Sequence, residues 1–237
     1  MSGIGLLNEK PLHASLKTWY AQPGDRFEVA VDGFAIDIVR DDRLLEIQTG
    51  NFAAIQSKLN HLVRSHPIRL IYPLAQEKWI VKLAKDEGSQ VTRRKSPKRG
   101  RLEDLFWEMV SLPQLMSHRN FSLEVLMIKE DEVRRYDDKR NWRRSGWGIE
   151  ERRLLEVVNQ HVFEEPTDWL AFLPEELESF TTQDLAEAIE IGRSLAQKMA
   201  YCWRQARFIQ LIGKRGRANL YRQKNLRLEQ TALSKQP

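Results

Sequence analysis

Three short runs, Phe27 to Val31, Phe34 to Arg40 and Arg43 to Thr49, follow one another with only Asp32-Gly33 and Asp41-Asp42 between them. Apolar or alternating runs this short, joined by two residues each, leave a chain little choice but an antiparallel meander. Asp-Gly is a strong turn signal because its central positions need positive φ, which Gly accepts freely; Asp-Asp is weaker. An amphipathic pattern precedes the meander, with Leu12, Leu16, Trp19 and Tyr20 at helical spacing and Gln22-Pro23-Gly24 as its stop. A second helical pattern, about Phe52 to Ser65, leads through Pro67 into two more strand-like runs, Ile68 to Tyr72 and Trp79 to Leu83. The order α-β-β-β-α-β-β predicts a mixed α/β (α+β) fold.

A two-residue turn at Asp41-Asp42 fixes the register of the second hairpin, opposing Arg40 to Arg43, Val39 to Leu44, Ile38 to Leu45 and Asp37 to Glu46. Gln48 then shares a face with Glu46, and Phe34, Ile36, Ile38, Leu45 and Ile47 line the other. With Asp32-Gly33 as the preceding turn, Glu28 falls opposite Asp37 as a third acid on the polar face. Like charges in directly opposed positions destabilise a sheet unless something neutralises them, and a divalent cation would do so. Magnesium or manganese between two carboxylates, with positions left for water and phosphate, suits phosphodiester hydrolysis. The plainer alternative is a hairpin with one solvated face. Against it stands Asp37, which interrupts the apolar strand Phe34-Ala35-Ile36-Asp37-Ile38-Val39.

An acid on one hairpin strand followed by Glu-x-Gln on the next, here Asp37, Glu46 and Gln48 within α-β-β-β-α-β, resembles the PD-(D/E)XK restriction-endonuclease-like superfamily over about Leu6 to Tyr72. The resemblance implies that Asp37 and Glu46 hold the metal and that Gln48 stands where a lysine commonly orients the water. Glutamine carries no charge, so it orients water without a lysine's electrostatics. Glu9 matches an acid found before the first helix in resolvase-like members and is the expected extra ligand, with Glu28 as the alternative. Lys58 on the following helix is a candidate for a displaced lysine, although a solvated helix position is the simpler reading.

The C-terminal part is distinguished by charge. The chain has 237 residues and a net charge of +5, yet Ile191 to Leu228 holds ten basic residues and no acid, and the remainder has 28 basic against 33 acidic. Such a stretch repels itself unless a polyanion is its partner. A helical pattern is expected over Arg153 to Phe163, with Leu154, Leu155, Val157, Val158 and Val162 as its stripe. Thr181 with Asp184 predicts a capping box opening a short helix, Gly192 a turn, and Arg193 to Ala206 a second helix burying Leu195, Met199 and Trp203 or Cys202. Phe208 to Ile212 and Ala218 to Tyr221 then flank a basic tip at Gly213 to Arg217. Two helices at a short turn followed by a basic hairpin resemble a winged helix-turn-helix across about Glu150 to Arg222. The resemblance implies DNA contacts by Arg193, Gln197 and Lys198 on the second helix and by Lys214, Arg215 and Arg217 on the wing.

The length admits two domains, expected at 1–148 and 149–237, with Asn141 to Gly148 as the junction and Thr92 to Arg101 as a charged surface loop. The lone Cys202 excludes an intrachain disulfide and a cysteine-rich zinc site, and no run is apolar enough to span a membrane. A cytoplasmic protein with DNA as partner is expected, acting as a homodimer or with other subunits. The expected function is a Mg2+- or Mn2+-dependent DNA endonuclease with Asp37, Glu46 and Gln48 as catalytic residues and Glu9, Asp37 and Glu46 as metal ligands. The alternative is a non-catalytic DNA-binding regulator or accessory protein on a degenerate nuclease fold. RNA cleavage, or membership of a multi-subunit complex, is the third reading.

Overall fold

A computed structural model of the chain describes residues 10–84, 91–137 and 146–224. The fold mixes helices with two sheets and divides into two compact units: Met1–Gly50, Ile68–Leu102 and Glu124–His161 form the first, and Asn51–Pro67, Glu103–Leu123 and Val162–Pro237 the second. Gly148, the expected boundary, lies inside a strand, and residues 138–145 before it fall outside the described ones.

The first unit opens with α1 (Pro11–Tyr20), started by a proline in its first turn, where a missing N–H costs nothing. The meander follows as β1 (Arg26–Val31), β2 (Phe34–Arg40) and β3 (Arg43–Ile47). Asp32 and Gly33 both take positive φ, 49° and 83°, as a primed hairpin turn requires. The pairs Arg40 with Arg43, Val39 with Leu44 and Ile38 with Leu45 form as the turn arithmetic predicts.

Two expected strands, Ile68 to Tyr72 and Trp79 to Leu83, are one continuous strand, β4 (Ile68–Lys82), parallel to β3. The expected loop from Thr92 contains β5 (Thr92–Lys95), antiparallel to β4. Next come β6 (Phe121–Tyr136) and β7 (Trp147–Phe163), giving the sheet order β1-β2-β3-β4-β6-β7. Arg69 and Lys78 of β4 meet Glu124 and Glu132 of β6 in the same order, so those strands run parallel. Arg135 and Lys129 meet Glu150 and Glu156 in opposite order, so β7 is antiparallel to β6. The helix expected over Arg153 to Phe163 is therefore an error, because its charges are cross-strand partners and not a solvated helix face. Leu12 and Leu16 of α1 pack with Ile38, Leu45, Ile47, Ile71, Leu126 and Ile128 into one apolar cluster.

The second unit takes the expected Phe52 to Ser65 helix as a 3-10 turn, Phe52–Ile55, running into α2 (Gln56–Leu62). It continues with α3 (Phe106–Met109), α4 (Pro166–Leu170), β8 (Ser179–Phe180), α5 (Thr182–Ala188), α6 (Arg193–Gln205), β9 (Ile209–Arg215) and β10 (Ala218–Gln223). Its core is aromatic: Phe106 meets Trp203 edge-on with centroids 5.8 Å apart, and Phe163 lies 4.6 Å from Trp169. The strands form a second sheet in the order β8-β10-β9. Thr181 accepts from the Gln183 and Asp184 amides while Asp184 accepts from the Thr181 amide, the reciprocal cap read from the sequence. Burial of Leu195, Met199, Cys202 and Trp203 on α6 follows the expected stripe. Burial pushes the Cys202 thiol up to about 12, so this cysteine is a packing residue.

The turn between α5 and α6 differs in one respect. Gly192 is the extended N-cap of α6, and the left-handed position is Glu190, at φ 52°. The Ile191 amide reaches back to Ala186 O and the Glu190 amide to Glu187 O, a Schellman ending in which glycine is the usual residue. Glu190→Gly is expected to stabilise the protein by about 1 kcal/mol, since a left-handed backbone costs an L side chain roughly that much. Urea unfolding measures it, and a loss of stability would contradict the assigned turn.

Candidate functional sites

The carboxylate hairpin lies in the first unit. Asp37 leaves the ladder where β2 and β3 stop pairing at Ile38 and Leu45, and its Oδ2 accepts the Ile47 amide at 2.8 Å. The same oxygen lies 3.2 Å from His13 Nε2 on α1. Glu46 is buried at 7% exposure and sits in the parallel ladder opposite Leu70. Val39 and Leu44, which alternate onto the face expected to be polar, are buried as well. β2 and β3 are thus buried on both faces around these residues, and the acids are not on a solvated face.

Burial alone would raise the Asp37 carboxyl. The hydrogen bond and charge of His13, the Ile47 amide and the charge of Lys17 together outweigh it and hold the carboxyl below the ordinary aspartate value. A depressed folded value contributes stability above the unfolded value of about 3.9, lost as pH falls through the folded value. The stability gap between wild type and Asp37→Asn is expected to be largest near neutral pH and to close on acidification. Urea midpoints across that range test this, and a gap widening toward acid would contradict it.

Glu28, the expected third acid, takes φ 52° and is ion-paired with Lys17 of α1. The Gln48 side-chain amide donates to Gly50 O, while its backbone amide continues the ladder to Ile71 O at 2.9 Å. Lys58 belongs to α2 in the second unit, and Glu9 lies outside the described residues. Among the described residues no three His, Cys, Asp or Glu side chains are gathered to hold a metal ion. One Asp37 oxygen is already bonded to His13 and Ile47, and Glu9, the third expected ligand, is not among the described residues.

A buried polar group missed by the sequence reading lies in the same unit. Tyr20 Oη donates to Glu124 Oε2 at 2.7 Å, and Arg69 Nη1 lies 3.3 Å from the same oxygen. Burial, then the Glu124 hydrogen bond and charge, push the Tyr20 hydroxyl up to about 12. The available signal was Glu124 inside Phe121 to Ile128, the same interruption of an apolar strand that marked Asp37.

The second candidate site lies on α6 and the β9-β10 hairpin of the second unit. A concavity of about 390 Å3 is lined by Arg193, Gln197, Tyr201 and Arg204 of α6 with Arg217 and Asn219 of the hairpin. No acid lines it, and Arg193, Arg204 and Arg217 form no ion pair among the described residues. The helix residues fall at successive turns, so helical spacing from Arg193 would have found Tyr201 and Arg204 as well. Lys198 Nζ stands 5.0 Å above the Trp107 ring, in cation-π distance. Lys214 is exposed in β9, whereas Arg215 Nη1 is bonded at 2.7 Å to Asp184, the acid of the α5 capping box. Of the six residues expected to meet DNA, Arg193, Gln197 and Arg217 come together, Lys198 and Lys214 flank them, and Arg215 is tied to the fold.

No described helix is long and apolar enough to cross a membrane. The chain is 30% identical over 227 residues to a protein of Treponema pallidum (strain Nichols) described as uncharacterized, an alignment covering 92% of this chain and 87% of the relative. No solved structure matches. Residues 10–164, ending one residue beyond β7, match the family described as a domain of unknown function, DUF8091. The chain belongs to the DUF8091 family.

Proposed function

We propose that this chain is a DNA-binding regulator or accessory protein, with the C-terminal module as a winged helix and the larger sheet as a nuclease-like framework that does not itself cleave. The observation that carries this reading is the cationic concavity: three arginines without ion pairs, a glutamine and an asparagine, drawn from one helix and the following hairpin. An anion satisfies such a surface, and a polyanionic backbone satisfies several of its charges together. The order β8-α5-α6-β9-β10, with β10 between its two neighbours, supports a winged helix with α6 as the inserted helix. The order β1-β2-β3-β4-β6, with β3 parallel to β4, supports likeness to a restriction-endonuclease core. A cytoplasmic location goes with this reading.

Cleavage is the second reading, favoured by one observation: Asp37 is held in its charged form on the strand beside that of Glu46. Duplex binding followed by fluorescence anisotropy, with supercoiled plasmid incubated in parallel with Mg2+ or Mn2+, tests both. Salt-sensitive binding with intact plasmid is expected. Nicking that disappears in both Asp37→Ala and Glu46→Ala would select the endonuclease, and absence of binding would overturn both.

A further inference from the structure

The basic run Thr92 to Arg101 carries Arg93, Arg94, Lys95, Lys98, Arg99 and Arg101 without an acid. A run that served only solubility would be a free loop, since nothing would compensate the entropy of fixing it. This one is fixed. Thr92 to Lys95 pair with Lys82 to Trp79, the Ser96 amide donates to Lys78 O at 2.8 Å, and the Gly100 amide donates to Gln76 O at 3.1 Å. Gly100 is pressed so closely on β4 that a Cβ there would stand 2.2 Å from Ala75 O. The segment is fastened along β4 from Thr92 to Gly100.

Apart from Arg101, the cations divide into two sets. Arg93 is bonded to Asp131, and Lys95 and Arg99 share Glu77. Arg93 and Lys95 also stand 4.8 and 5.2 Å from the Trp79 ring centroid, so these contacts hold them against the sheet. All five side chains are exposed, but Arg94 and Lys98 form no ion pair among the described residues. Counterions for Arg93, Lys95 and Arg99 thus come from the fold, and Arg94 and Lys98 are left for an external partner.

We infer that this segment is a second nucleic-acid contact, in which Arg94 and Lys98 bind backbone phosphates of duplex DNA; the inference rests on the DNA-binding reading above. An anionic lipid surface is disfavoured because β5 is Thr-Arg-Arg-Lys, with no apolar side chain to insert.

The test uses the full chain and a fluorescein-labelled duplex over a KCl series, comparing wild type with Arg94→Gln/Lys98→Gln and with the conservative Arg94→Lys/Lys98→Arg. The double glutamine variant is expected to flatten log K against log salt by about 1.8, or 0.9 per phosphate contact, and the conservative variant to keep the wild-type slope. Circular dichroism of the glutamine variant should match wild type, since both side chains are exposed. An unchanged slope in the glutamine variant, while Arg193→Ala/Arg204→Ala/Arg217→Ala flattens it, would overturn this contact and leave the DNA-binding reading standing. No duplex binding by wild type would overturn both, as would binding to phosphatidylserine vesicles in place of DNA.

Discussion

Replacing Arg193, Arg204 and Arg217 together by alanine is expected to weaken duplex binding by roughly 10^2- to 10^3-fold near 0.1 M salt. The magnitude follows from counterion release. Each phosphate neutralised by a cation contributes a slope of about 0.9, so three contacts make log K against log salt shallower by about 2.7. These arginines line one concavity and none is consumed by an ion pair, so truncation removes binding charge without exposing a buried partner. Arg215→Ala should behave differently. Its guanidinium is engaged by Asp184, so the change should cost stability at the start of α5 and move the salt slope less. Anisotropy titrations over a KCl series read both quantities, and equal slope losses from Arg215→Ala and Arg217→Ala would contradict the distinction.

Trp203→Ala is expected to destabilise the protein by about 3–5 kcal/mol, the range for emptying a fully buried large aromatic site. Trp203 is 0% exposed, packs edge-on against Phe106, and donates its indole N–H to Trp169 O at 3.0 Å. Alanine would leave that carbonyl without the indole donor and open a void among rings that cannot collapse into it. Trp203→Phe should cost less, because it fills most of the volume and loses mainly the hydrogen bond. Urea unfolding by circular dichroism measures the difference. A loss below about 1 kcal/mol for the alanine variant would mean that the aromatic cluster does not anchor α6 as described.

The elements legible in the sequence were those fixed by local chemistry. Asp32-Gly33 dictated a primed turn, the Asp41-Asp42 turn set the pairing of Ile38 with Leu45, and Thr181 with Asp184 specified a capped helix. The misread elements depend on partners distant in sequence. Leu154, Leu155, Val157, Val158 and Val162 fit helical spacing, but Glu150 and Glu156 find Arg135 and Lys129 across a strand pair. Thr92 to Lys95 has the composition of a loop, yet Trp79, Glu77 and Asp131 supply the ring and counter-charges that fasten it. The candidate acid site was half legible. The hairpin register holds only as far as Ile38 and Leu45, so the expected pairing of Asp37 with Glu46 does not form; His13 on α1 and the Ile47 amide, which bond its carboxylate, follow from tertiary packing and from that break in the ladder. The cationic site was more legible, because helical periodicity and an acid-free stretch are both one-dimensional signals.

Ultraviolet crosslinking of the full chain to duplex DNA, followed by mass spectrometry of the adducts, identifies the peptides that touch the DNA. Tyr201 is an exposed aromatic in the middle of the cationic concavity, at 42% exposure, and is therefore positioned to report contact there. Nucleotide adducts are expected on the α6 peptide containing Tyr201, lost at high salt and in the Arg193→Ala/Arg204→Ala/Arg217→Ala variant. Saturable DNA binding with adducts confined to other peptides, and none on α6 or the β9-β10 hairpin, would contradict DNA binding at this concavity.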